Sequence, residues 1–238
     1  MAAQPMTRKL FPCFCLTLLL AFPCLHASAE EVTSSQKNAQ PDWVTFNPSP
    51  HHSSRKGEDV SAIIMHFTAG GSQAATVGWF RNPKAKVSAH YVVGRDGTVT
   101  QMVPLDQAAW HAGKSKIGDK TGVNSYSVGI EICNWGPLRQ VDGQFVNYTG
   151  RKYDGPTPVQ SEDGHYWEPY TDAQYATLLK LCEYLIDEYD ITHITGHSDI
   201  AIPQGRKNDP GEAFQWEKFQ VGLKDRNVKH IGPLTDAE

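Results

Sequence analysis

The chain shows two hydrophobic periods. Ala62-Ile63-Ile64-Met65 is a short apolar run, β-branched at its centre and ended by His66, and it predicts a buried strand. Ser72 to Phe80 reads as a short helix, with Ser72 placed to cap it and Pro83 just beyond its end. His90-Tyr91-Val92-Val93 and Thr98 to Val103 flank Gly94-Arg95-Asp96-Gly97, whose Asp-Gly step marks a hairpin turn. Ser127 to Cys133, SVGIEIC, predicts another strand. From Thr171 to Tyr189 the period becomes helical. Tyr175, Leu178, Leu179, Cys182, Leu185, Ile186 and Tyr189 form one apolar stripe, and Thr171 with Gln174 makes a capping-box pattern at its start. His193-Ile194-Thr195 predicts a further short strand. Strands and helices alternate without strict βαβ regularity. The expected class is therefore α/β, a single domain with a mixed central β-sheet flanked by α-helices.

The boundaries follow from composition. Arg8 and Lys9 precede an apolar run from Leu10 to Leu25, and Ala27-Ser28-Ala29 offers a small-residue cleavage site before Glu30. That is the pattern of a signal peptide, residues 1–29, so the mature protein is expected in the periplasm or secreted. The run is short and interrupted by Pro12 and Pro23, so no stable membrane insertion is expected after signal removal. Residues 30–42 read as a flexible leader, 43–223 as the catalytic domain and 224–238 as a polar tail. Residues 136–169 are rich in Gly, Pro, Asp and aromatics and read as a long surface loop or hairpin.

Charge narrows the partners. Lys+Arg is 22 and Asp+Glu is 26, a net charge of −4. Without Arg8 and Lys9 the balance is 22 − 2 = 20 against 26, or −6. A mildly acidic body lacks the basic face that nucleic acid requires. Cys13, Cys15 and Cys24 leave with the signal, and Cys133 and Cys182 remain. Glu131 and Cys133, two apart on one strand, share a face. Cys182 lies on a helical stripe expected against the other face, too far for the ~3.8 Å Cβ separation of a disulfide. No Cys133–Cys182 bridge is expected.

Three polar groups sit where strands give way to loops: His66 in MHFTAGG, His197 in ITGHSDI and Asp209 in GRKNDPG. Two imidazoles and one carboxylate, with a fourth position left for water, have the composition of a catalytic zinc shell. Neither HExxH nor CxxC occurs. His193 is four residues before His197, but Ile194, Thr195 and Gly196 oppose a helix there, so His193 is not expected to be a ligand. Glu131 interrupts an otherwise apolar strand, which is costly unless it faces a cation or a cleft.

Four segments carry a resemblance: IIMHFTAG (63–70), VSAHYVVGRDGTVTQMVPLDQAAWHAG (87–113), SVGIEICNWG (127–136) and TGHSDIAIPQGRKNDPGEAFQW (195–216). YTDAQYATLLKLCEYL (170–185) adds the helix. Together they resemble the zinc-dependent N-acetylmuramoyl-L-alanine amidases, the family that includes phage T7 lysozyme and the peptidoglycan recognition proteins. The bacterial muropeptide amidase branch is most similar. The resemblance implies Zn2+ held by His66, His197 and Asp209, with Glu131 as the catalytic carboxylate and Lys207 stabilising the oxyanion. It implies a peptidoglycan or muropeptide substrate, cut between N-acetylmuramic acid and L-alanine. The phage enzyme's catalytic Tyr position is Ala89 here, which leaves the general-base role to Glu131. Ile202-Pro203-Gln204 lengthens the link between His197 and Asp209.

Trp110 and His111 in AAWHAG suit contact with the apolar faces of sugar and peptide, and Arg95 suits a peptide carboxylate. His90 reads as structural by strand position, and His51, His52, His165 and His230 as ordinary surface or packing residues. Asn147-Tyr148-Thr149 matches a glycosylation sequon by pattern alone. Two rival readings stand beside the amidase: a peptidoglycan-binding module that does not cut, and the same enzyme used as a secreted antibacterial toxin.

Overall fold

The computed structural model describes Met1 and residues 40–234. The signal segment, Cys13, Cys15, Cys24 and most of the leader lie outside the described residues. In chain order the strands are β1 (Val44–Phe46), β2 (His52–Ser54), β3 (Ala62–Phe67), β4 (Tyr91–Val93), β5 (Val99–Gln101), β6 (Gln107–Ala109), β7 (Lys116–Ile117), β8 (Lys120–Thr121), β9 (Ser127–Ile132), β10 (Pro137–Val141), β11 (Gln144–Val146), β12 (Val159–Gln160), β13 (Tyr166–Trp167), β14 (His193–Gly196) and β15 (His230–Ile231). The helices are α1 (Gln73–Arg81), α2 (Asp172–Glu188), α3 (His197–Ile200) and α4 (Trp216–Gly222).

Seven strands form the central sheet in the order β1-β5-β4-β9-β3-β14-β15. The pairs β4–β9, β9–β3, β3–β14 and β14–β15 are parallel, whereas β4 and β5 form the expected antiparallel hairpin. The sheet is thus mixed and helix-flanked, as the alternation of elements implies. At the hairpin turn Gly97 has φ +82°, and a Cβ there would come within 2.7 Å of Thr177 Oγ1 and 2.9 Å of Ala173 O on α2. Glycine meets both the backbone and the packing demand.

Alternation along the strands sorts the two faces. Ile63, Met65, Tyr91, Ile130 and Ile132 pack against Tyr175, Leu178, Leu181, Cys182 and Leu185 of α2 in the main core. Leu181 joins the stripe read from the sequence, whereas Leu179, Ile186 and Tyr189 sit at its margin, partly buried. The capping box at Thr171 and Gln174 is formed, as is the Ser72 cap of α1. On the opposite face Val77 and Phe80 of α1 pack with Ala89, Val92, Met102 and Cys133. Cys133 and Cys182 therefore lie on opposite faces of the sheet, and both are free thiols.

Two segments hold more regular structure than their sequence reading. Residues 136–169, read as a long surface loop or hairpin, contain the β10–β11 hairpin and build a second, four-stranded antiparallel sheet, β11-β10-β13-β12. Within the stretch read as a polar tail, His230–Ile231 adds the parallel edge strand β15 beside β14.

Candidate active site

The C-terminal ends of three adjacent parallel strands bring the site together. His66 on β3 is in register with Glu131 on β9, and Met65 with Gly196 on β14, which places His197 beside His66 one residue later. Ligands in parallel α/β sheets gather at the carboxyl ends of strands. Asp209 returns to the same point at the end of the longer loop. Ser198 N–H donates to its carbonyl at 2.9 Å, and Arg206 pins the loop through Nη2 to Lys114 O at 2.9 Å and Nε to Ile202 O at 3.1 Å. The extra Ile202–Gln204 residues are thus accommodated without removing Asp209 from the site.

Asp209 Oδ2 lies 2.8 Å from His66 Nδ1 and 3.1 Å from His197 Nδ1. His66, His197 and Asp209 are 1%, 2% and 7% exposed, so water does not screen them from one another. The outer nitrogens fix the tautomers. His197 Nε2 is 3.0 Å from Ala112 O, a pure acceptor, so Nε2 carries the hydrogen and Nδ1 is bare. Ser127 donates its hydroxyl to Val123 O at 2.7 Å. Its oxygen therefore accepts from His111 Nε2 at 3.0 Å. His111 Nδ1 is then an acceptor for His66 Nε2–H at 3.0 Å, and His66 Nδ1 is bare too. Burial keeps His66 neutral, lowering its pKa to about 4, and holds His111 well below the usual histidine range.

Two bare ring nitrogens and a carboxylate oxygen thus face one another, three acceptors with no hydrogen among them. Such a cluster is repulsive until a cation enters it, and this donor set suits a zinc-type ion. Among the described residues, these three form the group able to hold a metal.

Glu131 lies half-buried beside this group, in a cleft of about 520 Å³ that also holds Lys207 and Trp110. Its Oε2 is buried with no hydrogen-bond partner. Burial, reinforced by the charge of Asp209 and opposed by Lys207, holds its carboxyl well above the usual carboxylate range. An unpartnered carboxyl oxygen with raised proton affinity, next to a metal site, is suited to take a proton from water.

A family model described as N-acetylmuramoyl-L-alanine amidase matches residues 56–212. The chain belongs to this amidase family. The 1,6-anhydro-N-acetylmuramyl-L-alanine amidase AmpD of Enterobacter cloacae is 32% identical over 204 residues, 77% of this chain and 92% of that protein. The crystal structure of a selenomethionine AmpD derivative is similar with a TM-score of 0.58 at 28% identity, covering 78% of this chain and 97% of that one. Escherichia coli AmiD, solved with anhydro-N-acetylmuramic acid-L-Ala-D-γ-Glu-L-Lys, gives a TM-score of 0.52 at 28% identity, covering 79% of this chain and 63% of that one. The amidase family thus accounts for the fold, the enzyme class and the His-His-Asp metal site.

Within this amidase scaffold the remaining sequence candidates divide. Lys207 and Trp110 line the cleft, and Trp110 Nε1 also donates to Ser53 Oγ at 3.3 Å. His111 borders the cleft but is held between His66 and Ser127. Gly129 makes room for it, since a Cβ there would lie 2.4 Å from the His111 ring. Arg95 is not among the residues lining the cleft and is ion-paired with the buried Glu168. His90 is buried and structural, accepting from Gly129 N–H at 3.0 Å through Nδ1. His193 lies at the far end of β14, 2.8 Å from Thr192 Oγ1 and outside the metal group.

Because His111 orients a metal ligand, His111→Ala should retain the fold but weaken metal affinity by roughly 10–100-fold, the usual effect of losing an outer partner. Competition titration with a chromogenic chelator measures this. Unchanged affinity would show that the His66 tautomer is fixed without His111.

Proposed function

We propose that this protein is an exported zinc amidase that hydrolyses the amide between the lactyl group of N-acetylmuramic acid and L-alanine in peptidoglycan or muropeptides. The observation that carries this reading is the convergence of three metal-binding atoms beside the unpartnered Glu131 Oε2 in one cleft. Filled ligand and carboxylate positions favour a cutting enzyme over a binding module.

His66 and His197 would hold zinc through Nδ1, and Asp209 through Oδ2. Bound zinc supplies a Lewis acid that polarises the carbonyl and lowers the pKa of water toward neutrality. Glu131 Oε2 takes a proton from the attacking water and delivers it to the amine nitrogen of the departing L-alanine. Its raised proton affinity serves the first half of this exchange, because a strongly acidic carboxyl would be a poor base. Lys207, in the same cleft, presents its ammonium to the oxygen that gains charge. Trp110 offers an apolar face for sugar or peptide.

Mass spectrometry of digested muropeptides should show free muramyl sugar and an intact stem peptide beginning with L-alanine. Glu131→Gln should retain zinc while losing about 10²–10⁴-fold in activity. Asp209→Asn should lose zinc, because a neutral amide is a weak substitute for a carboxylate ligand. The opposite pattern of zinc content would reverse the two roles.

Export rests on the charged, apolar and small-residue order of residues 8–29. N-terminal sequencing of the protein from an envelope or secreted fraction should begin at Glu30. A chain still starting at Met1 there would contradict cleavage.

A further inference from the structure

The four-stranded sheet beside the cleft carries a cation that the mechanism does not use. Arg151 is exposed and lines the same cleft as His66, Glu131 and Lys207. Its guanidinium lies over the Trp135 ring, 5.0 Å from the centroid. Among the described residues it has no carboxylate partner within ion-pair distance. The other arginine near this sheet is differently placed. Arg95 is paired with Glu168, which is buried and also accepts the Trp135 N–H at 2.5 Å. That junction holds the small sheet, and with it Trp135, against the β4–β5 hairpin.

The backbone of Arg151 is equally well held. Asn147 is buried, and its Oδ1 accepts the N–H groups of Thr149 at 3.1 Å and Arg151 at 2.9 Å. Its own N–H donates to Arg151 O at 3.0 Å. A fixed turn and an aromatic platform limit the freedom of the side chain before any ligand arrives. A preorganised guanidinium facing a cleft and free of a protein counter-charge is suited to take a planar carboxylate bidentately.

The substrate chemistry supplies such a group. In the ligand of AmiD the glutamate is γ-linked, so its α-carboxylate is free. We propose that Arg151 binds the free α-carboxylate of the γ-linked glutamate in the stem peptide, and thereby discriminates acidic stems from amidated ones. This rests on the amidase reading, and it gives the segment after β11 a part in recognising the peptide.

The test uses two synthetic muropeptides that differ only in whether that carboxylate is free or amidated. The parent enzyme should prefer the free acid by about 10–100-fold in kcat/KM, an effect of the size expected from one close charge pair. Arg151→Gln should lose this preference. The free-acid substrate should fall about 10–100-fold, mainly through KM, while the amidated substrate stays unchanged and Arg151→Lys recovers part of the loss. An equal fall on both substrates, or a parent that does not discriminate, would overturn the assignment. Calorimetry with the free stem tripeptide separates this from failure of the amidase reading. If the parent cleaves neither substrate, the amidase reading fails. Tripeptide binding lost in Arg151→Gln would still uphold the Arg151 contact, and equal binding by both proteins would reject it.

Discussion

Three hydrogen-bond acceptors face one another in a buried pocket, and the rest of the site is arranged around that conflict. His66 Nδ1, His197 Nδ1 and Asp209 Oδ2 cannot satisfy each other without a cation. Two polar anchors maintain the conflict. One runs from the Val123 carbonyl through Ser127 and His111 to His66. The other is the Ala112 carbonyl against His197. Both begin at backbone carbonyls, which only accept, so neither ring can turn its hydrogen inward without losing a buried hydrogen bond. The parallel register of β3, β9 and β14 then places Glu131 beside the cluster.

A second buried interaction anchors the small sheet. Glu168 accepts from Arg95, from the Trp135 backbone and from Tyr153, and it is 1% exposed. Removing one partner of such a buried pair leaves an uncompensated charge, which is strongly destabilising. The small sheet is therefore held by an ionic contact at its base as well as by its own aromatic cluster of Trp135, Leu138 and Tyr153. The cleft is lined by the strand ends of the central sheet and by α1 with the loop before it, and Arg151 reaches it from the segment that follows β11.

Much of this was legible along the chain. Long periodic elements such as α2, with its capping box, and the apolar strands β3 and β9 declare themselves because burial sets their pattern. The small sheet does not, because its strands are two to five residues long and separated by turn residues, too short for a period to emerge. β15 is two residues in a polar stretch and exists only through pairing with β14. The metal trio was weak as three isolated residues and became specific through the four segments that resemble the amidases. His111 was placed toward substrate because an aromatic pair in a Gly/Ala loop reads that way. Its contact with His66 depends on Gly129, which is 18 residues away in sequence and directly under the ring. Arg95 and Arg151 show the same limit. Both are cations in turns, and only the buried Glu168 separates the one that holds the small sheet from the one that faces the cleft.

The central claim is that both histidines present Nδ1, with Asp209, to a single zinc ion. Diffraction from zinc-loaded crystals, recorded on either side of the zinc absorption edge, tests it most directly. The account predicts one anomalous peak about 2.0–2.1 Å from the Nδ1 atoms of His66 and His197 and bonded to the Asp209 carboxylate. Both Nε2 atoms should remain turned toward His111 and Ala112. A peak bonded through Nε2 of either histidine, or one from which Asp209 is absent, would contradict it.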